Sequence, residues 1–291
     1  MSGSKCSPPI AGEDGLIEHR LYGVPVFSDF EMFDNPEASR SAGTSAMPGL
    51  RLRQAEVCPG PSGLPICQQF RPVHGRAVTL LTDRPLAASA WQQPWSLRVE
   101  DVVSFAWLGG SSEIDFTLGS SGNRDLLAFW FIHIFLPLHL TLERGYDFLH
   151  GAAVEIGQQP IVFVAPSGGG KSTLGAYFLE QGHAMLSDDK VATVCQGGQC
   201  LAVPSHPHHR PFRQYEVLGH PLANFATRAG PIAAIYLLQV GTPEEGVQIE
   251  EVQGFRKFEE LMPAYLYDFP FLRERRLQQL AAIAGNTRVF R

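Results

Sequence analysis

The stretch from Ile161 to Asp189, IVFVAPSGGGKSTLGAYFLEQGHAMLSDD, constrains this chain more than any other. Ile161, Val162, Phe163 and Val164 form a short apolar run of strand type, a glycine-rich turn follows, and a helical pattern begins near Lys171. A strand, such a turn and a helix in that order make a phosphate-binding loop when the turn ends in Gly-Lys-Ser. Backbone without side chains lets several N–H groups point at an anion, a lysine supplies positive charge, and hydroxyls stand beside a divalent cation. Ser167, Gly168, Gly169, Gly170, Lys171, Ser172 and Thr173 provide all three. The pattern GxxxxGK(S/T) opens with Gly, whereas this chain has Ala165, a residue small enough to leave the motif readable. The competing reading is a strand-to-helix turn that binds nothing.

The residues that follow narrow the class. The pattern predicts a helix from about Lys171 to Gln181, ended by Gly182, and then a short buried strand, Ala184-Met185-Leu186, leading into Ser187-Asp188-Asp189. A right-handed crossover sets this strand parallel to the first, so Asp188 and Asp189 emerge at the sheet edge where the turn lies. One carboxylate there can bind Mg²⁺, directly or through water, and the other can accept the proton of an attacking hydroxyl. An Asp pair that merely caps a turn is the alternative.

The 291 residues are 44% hydrophobic, enough to bury a full core in one large or two modest domains. A net charge of −6 with 18% charged residues offers no overall attraction to nucleic acid or an anionic membrane. Cys6, Cys58, Cys67, Cys195 and Cys200 are odd in number and lack a CxxC pair, which points to a reducing, cytoplasmic setting without a zinc site. The small, polar start of the chain reads as a loose tail over 1–15, with no signal segment. A β-rich region is expected over 16–125. It includes Ile17 to Phe33, alternating about Gly23-Val24-Pro25, and the antiparallel strands AVTLLT, WSLRVE, VVSFAW and EIDFTL. Asn35 to Gly63 reads as an irregular loop.

Residues 126–291 form the expected α/β catalytic domain. Its first segment, Leu126 to Leu142, lies at the short limit of a bilayer span but carries His133, Pro137 and His139. A buried helix bent near Pro137 is predicted, with both histidines as core or cleft groups. Further on, PSHPHHRPFR reads as a polar loop in which His206, His208 and His209 lack companions for a metal. Arg210 and Arg213 in the same loop are candidates to clamp a phosphoryl group or a peptide carboxylate, set against ordinary surface arginines. Arg273, Arg275 and Arg276 sit in a late amphipathic helix and read as a solvated face.

LHGAAVEIGQQPIVFVAPSGGGKSTLGAYFLEQGHAMLSDDKV, about His150 to Val191, resembles the catalytic domain of HPr kinase/phosphorylase and its bacterial relatives. Shared features are a His-Gly ahead of the loop strand, the loop itself, and a Gly-His followed closely by Asp-Asp. A weaker likeness runs on through PSHPHHRPFRQYEVLG and PIAAIYLLQV. The resemblance implies a P-loop kinase core of HPr kinase and phosphoenolpyruvate carboxykinase type, using ATP and Mg²⁺. It implies that Gly168 to Thr173 wrap the phosphates, that Lys171 neutralises them, and that Ser172 ligates Mg²⁺. Asp188 matches the family's catalytic base, Asp189 its partner near the metal, and His150 the histidine beside them. No Gly-rich segment follows between Gln196 and Arg228, so phosphorylase activity is not expected.

YGVPVFSDFEMF resembles the opening of a divergent set of HPr-kinase-like proteins found with ribosomally made peptides, some of which phosphorylate the C-terminal serine of a lasso precursor. The expected function is therefore an ATP-dependent serine kinase acting on such a peptide. Alternatives are a kinase of HPr or another small protein, and a non-catalytic, nucleotide-dependent peptide-binding module. A homo-oligomer is compatible with the family. No NKxD, DxxG or LSGGQ motif at a suitable position supports a GTPase or an ABC-type ATPase.

Overall fold

The computed structural model describes residues 15–33, 47–59, 68–69, 73–86, 92–210, 215–241 and 246–291. The N-terminal tail up to residue 14, parts of the stretch 35–63, and Arg213 lie outside them. The architecture is mixed α/β, with two large sheets and few helices.

The first sheet contains β1 (Ile17–Leu21), β2 (Val24–Ser28), β3 (Leu50–Gln54), β4 (Gln68–Gln69), β5 (Val78–Thr82), β6 (Trp95–Val99), β7 (Val103–Trp107) and β8 (Glu113–Leu118). Their order across the sheet is β1-β2-β3-β8-β7-β6-β5-β4. Tyr22 and Gly23 join β1 to β2 with φ of 51° and 71°, the left-handed pair that a tight two-residue hairpin requires. The meander β5 to β8 is antiparallel throughout, as the alternating patterns predict. Leu50–Gln54 corrects the reading of its region as irregular. Leu50 and Leu52 are buried, and the strand runs parallel to both β2 and β8. Five alternating residues amid Pro, Gly and Ser leave a weak signal, and parallel partners distant in sequence leave none.

The apolar segment forms α1 (Arg124–Trp130), a π-helical turn (Phe131–Phe135) and α2 (Leu136–Glu143). The Asn123 side chain caps α1 by accepting the Leu126 N–H at 2.9 Å. Pro137 has no N–H for the carbonyl one α-turn back, and the helix widens just before it, with the Leu136 N–H bonding to the Phe131 carbonyl. The interruption falls where Pro137 predicts it. Although long and apolar enough to cross a membrane, the helix is 83% buried over its most apolar window, with Phe135 packed on Trp95 and Phe105.

The second sheet is built on β9 (Asp147–Ile156) and β10 (Gln159–Val164), followed by α3 (Lys171–Glu180), β11 (Ala184–Ser187), β12 (Lys190–Gln196) and β13 (Gln199–Val203). After these come β14 (His208–His209), β15 (His220–Pro221), β16 (Gly230–Pro231), β17 (Ala234–Leu237), β18 (Glu251–Val252), α4 (Arg256–Leu261), α5 (Arg273–Asn286) and β19 (Arg288–Phe290). The order is β16-β13-β12-β9-β10-β17-β19-β18, while β14 and β15 pair separately. Long β9 is antiparallel to β10 on one side and pairs with both β12 and β11 on the other. Since β11 is antiparallel to β9, it runs in the same direction as β10, with β9 between them. The carboxyl ends of β10 and β11 therefore share one edge. Gly175 lets α3 lie close over the sheet, because a Cβ there would stand 3.0 Å from Met185 Cε.

Three side-chain expectations are corrected here. Cys195 and Cys200 face each other across the β12–β13 hairpin and form a disulfide, a pairing that their odd-numbered set did not suggest. Arg275 and Arg276 are not a solvated face. Arg275 donates to the Thr141 and Tyr146 carbonyls and lies 3.6 Å from Asp147, while Arg276 pairs with Asp268. The histidine-rich loop is not exposed either, since His206 and His208 are buried at 2% and 4% exposure. Phe33 of the N-terminal region stacks on His208, and the His133 ring packs edge-on against His206 at 4.9 Å. Backbone bonds from Ser205 to Leu186 and from Tyr22 to Ser205 hold the segment against both sheets.

Candidate active site

The turn after β10 is fixed by glycine. Gly168 and Gly170 have φ of 82° and 90°, and a Cβ on Gly169 would stand 2.7 Å from the Ala165 methyl. With Ala165 in place, position 169 has room only for hydrogen. The Gly169 N–H donates to the Pro166 carbonyl, and the Lys171 ammonium donates to Ala165 and Pro166 carbonyls at 2.7 and 3.1 Å. Strand end, turn and helix start are thereby one unit. The first N–H groups of α3 have no partner within the helix and carry its positive end.

The carboxylate side comes from four separate segments. Asp188 and Asp189 leave β11 in a tight turn, with Asp189 in the left-handed region at φ 69° and the Ser187 hydroxyl donating to the Lys190 carbonyl at 2.6 Å. Asp188 Oδ1 accepts from the Ser172 hydroxyl at 3.4 Å, and its Oδ2 accepts the Arg210 N–H at 3.1 Å with His209 Nε2 at 3.8 Å. Asp189 Oδ2 accepts from the Arg210 guanidinium at 3.2 Å, and its Oδ1 lies 3.5 Å from His150 Nδ1. His150 is placed by β9, whose next residue, Gly151, donates its N–H to the Asp189 carbonyl.

The two neighbouring carboxyls are pushed in opposite directions. Burial raises the proton affinity of Asp188, with His209 and the Arg210 N–H opposing it. Burial also pushes Asp189 up, but Lys190, Arg210, His150 and Lys171 together outweigh it and hold that carboxyl below its ordinary range. His150 is lowered, first by burial and then by Lys171 and Lys190, against the pull of Asp189. Lys171 is lowered by burial, with Asp189 and Asp188 opposing. A pair of acids separated in this way can divide proton transfer from permanent charge.

Of the sequence candidates, Lys171, Ser172, Asp188, Asp189, His150 and Arg210 converge at this edge. Ser167, Gly168 and Gly170 stand exposed on the turn, Gly169 is half-buried within it, and Thr173 is exposed at the start of α3. Lys190 joins the cluster without having been singled out, and His209, weighed only as a metal ligand, joins it beside Asp188. The available signal for His209 was the alternation of His206, His208 and His209, in which the first two face inward and the third faces Asp188.

The residues fit a nucleotide and Mg²⁺. The glycine cradle admits no Cβ at Gly169, and Ser172 with the Asp pair offers hard oxygen donors. Among the described residues no group of three or more His, Cys, Asp or Glu could hold a metal.

No family model matches the chain, and no curated protein matches it. Among solved structures, the Hpr(Ser) kinase/phosphatase from Coxiella burnetii aligns over 45% of this chain and 97% of its own, with 12% identity and a TM-score of 0.27. That neighbour is a kinase/phosphatase, but a likeness of this extent carries no weight for fold or function.

Proposed function

We propose that the protein transfers a phosphoryl group from ATP to a serine hydroxyl, as a kinase of HPr-kinase type with a phosphate-binding loop. The observation that carries this reading is the contact between Ser172, at the start of α3, and Asp188, at the end of β11. It joins an anion-binding turn to a carboxyl of raised proton affinity. When bound, MgATP supplies the phosphoryl group and draws charge from its oxygens. Gly168 to Thr173 bind the phosphates and Lys171 holds their charge, while Ser172 and Asp189 provide the metal-side oxygens. Asp188 orients the acceptor hydroxyl and takes its proton as the new P–O bond forms and the bond to the leaving nucleotide breaks. Arg210 fixes both carboxylates, through its N–H to Asp188 and its guanidinium to Asp189.

The acceptor we favour is a serine of a ribosomally made peptide, a lasso precursor's C-terminal serine in particular. The likeness of YGVPVFSDFEMF supports this choice. The test is mass spectrometry after incubation with MgATP and, separately, HPr and peptides ending in serine. A phosphoryl gain on the peptide is expected, and it should vanish in Lys171→Ala. Gain on HPr alone would move the acceptor to a small protein. Bound nucleotide without transfer to either would point instead to a nucleotide-dependent binding module.

A further inference from the structure

One turn of the N-terminal sheet region lies against the segment just beyond the site. His74 and Gly75, with φ of 51° and 82°, form a two-residue bend closed by paired backbone bonds between Val73 and Arg76. The bend is fastened to the segment just beyond the site. Arg76 donates to both carboxylate oxygens of Glu216 at 2.5 and 3.1 Å, and Trp130 Nε1 donates to the same carboxylate at 2.9 Å. Glu216 is itself left-handed at φ 53°, so both halves of this clasp hold uncommon backbone. The clasp sets the His74 ring against Phe129 and Tyr215, at 5.4 and 5.2 Å. Phe129 also lies under the Arg210 guanidinium, at 5.8 Å. The imidazole therefore stands one ring away from the arginine that fixes Asp189. Tyr215 beside it is 64% exposed, and His74 is half-buried. Among the described residues no hydrogen bond fixes the His74 ring nitrogens.

We propose that His74 and Tyr215 form the acceptor-side wall of the site, a ring surface that selects a polypeptide carrying a ring or apolar residue next to the accepting hydroxyl. This rests on the kinase reading above. A half-buried ring and an exposed one, a single ring away from Arg210, gain by covering such a side chain, and a ring contact is worth about three- to tenfold in affinity. His74 acts here as a specificity residue and takes no proton.

The test uses the full chain, MgATP and a pool of short peptides with one serine and randomised neighbours, read by mass spectrometry. His74→Asn keeps a residue that tolerates the left-handed turn but removes the ring, whereas His74→Phe keeps a ring. Wild type is expected to favour peptides with a ring or apolar neighbour. His74→Asn should lose that preference with a rise of about three- to tenfold in acceptor KM at unchanged melting temperature, His74→Phe should retain it although its ring strains the left-handed turn, and nucleotide affinity should stay unchanged in both. Transfer by His74→Asn with the wild-type preference and KM would overturn the inference and leave the kinase reading standing. No transfer by wild type to any peptide would overturn the inference, and no transfer to HPr as well would overturn the kinase reading with it.

Discussion

The phosphate side and the carboxylate side of the site are built by opposite means. The turn from Ala165 to Lys171 is local. Its shape follows from three glycines, one methyl and one ammonium bonded to two carbonyls, all within seven consecutive residues of the sequence. The carboxylate side gathers His150, the Asp pair, Lys190, His209 and Arg210 from β9, β11, β12 and the segment around β14, and charge rather than shape holds it. Steric faults should therefore damage the first side at any pH. Lost charges should damage the second in a way that depends on pH.

The largest effect on nucleotide binding is expected from Lys171→Ala, which removes the cation common to both sides. Nucleotide affinity measured by calorimetry should fall, and transfer should fall by about 10²- to 10³-fold. Gly169→Ala comes next and tests shape alone. Its methyl meets that of Ala165, so overpacking of about 1–3 kcal/mol should open the turn and weaken nucleotide binding equally at all pH values. Ala165→Gly in the same chain should recover much of the loss, and no recovery would show that this contact is not what restricts position 169.

Arg210→Ala should act on the other side. Removing a charge-assisted bond to Asp189 is expected to slow transfer about tenfold. Because Arg210 is one of the groups holding Asp189 ionised, the deficit should widen as pH falls. A pH-independent deficit would mean that Arg210 only supports the backbone.

The smallest effects belong to titratable groups packed away from the site, where burial outweighs neighbouring charges. His139 and His206 are lowered to about 3 by burial, and His133 is lowered in the same way. All three are neutral in the fold, so the stability they contribute is present above the unfolded value of 6.5 and is lost as pH falls below it, towards about 3 for His139 and His206. Glu143 has the opposite sign. Burial raises it from 4.5 to about 8, so stability is lost as pH rises through that interval. Glu143→Gln should melt higher than wild type at pH 8 and match it below about 4.5. Equal melting at both would show that Glu143 is better solvated than its position beside Trp95 implies.

The contrast between the two sides also explains what could be read in advance. The strand, turn and helix from β10 to α3 were legible because each signal is contiguous, and the position of the Asp pair followed from the direction of one crossover. His209 was not legible as a site residue, since its approach to Asp188 spans about twenty residues, whereas Lys190 directly follows the Asp pair and was a local signal left unread. Burial of His206 and His208 was missed because Phe33, more than 170 positions earlier in the chain, covers them. Likewise Arg275 looked solvated until Asp147 and the end of α2 came to meet it. The β3 strand hid because its partners β2 and β8 are parallel and remote. Local steric devices leave local sequence marks, whereas charge clusters assembled by topology do not.

The central claim is that these two sides form one phosphoryl-transfer site with Asp188 at the junction. It is tested most directly by measuring MgATP affinity and single-turnover transfer to a serine peptide in Asp188→Asn. Affinity close to wild type with transfer lower by about 10²- to 10⁴-fold is the predicted result. Transfer at the wild-type rate would remove Asp188 from the chemistry and contradict the account.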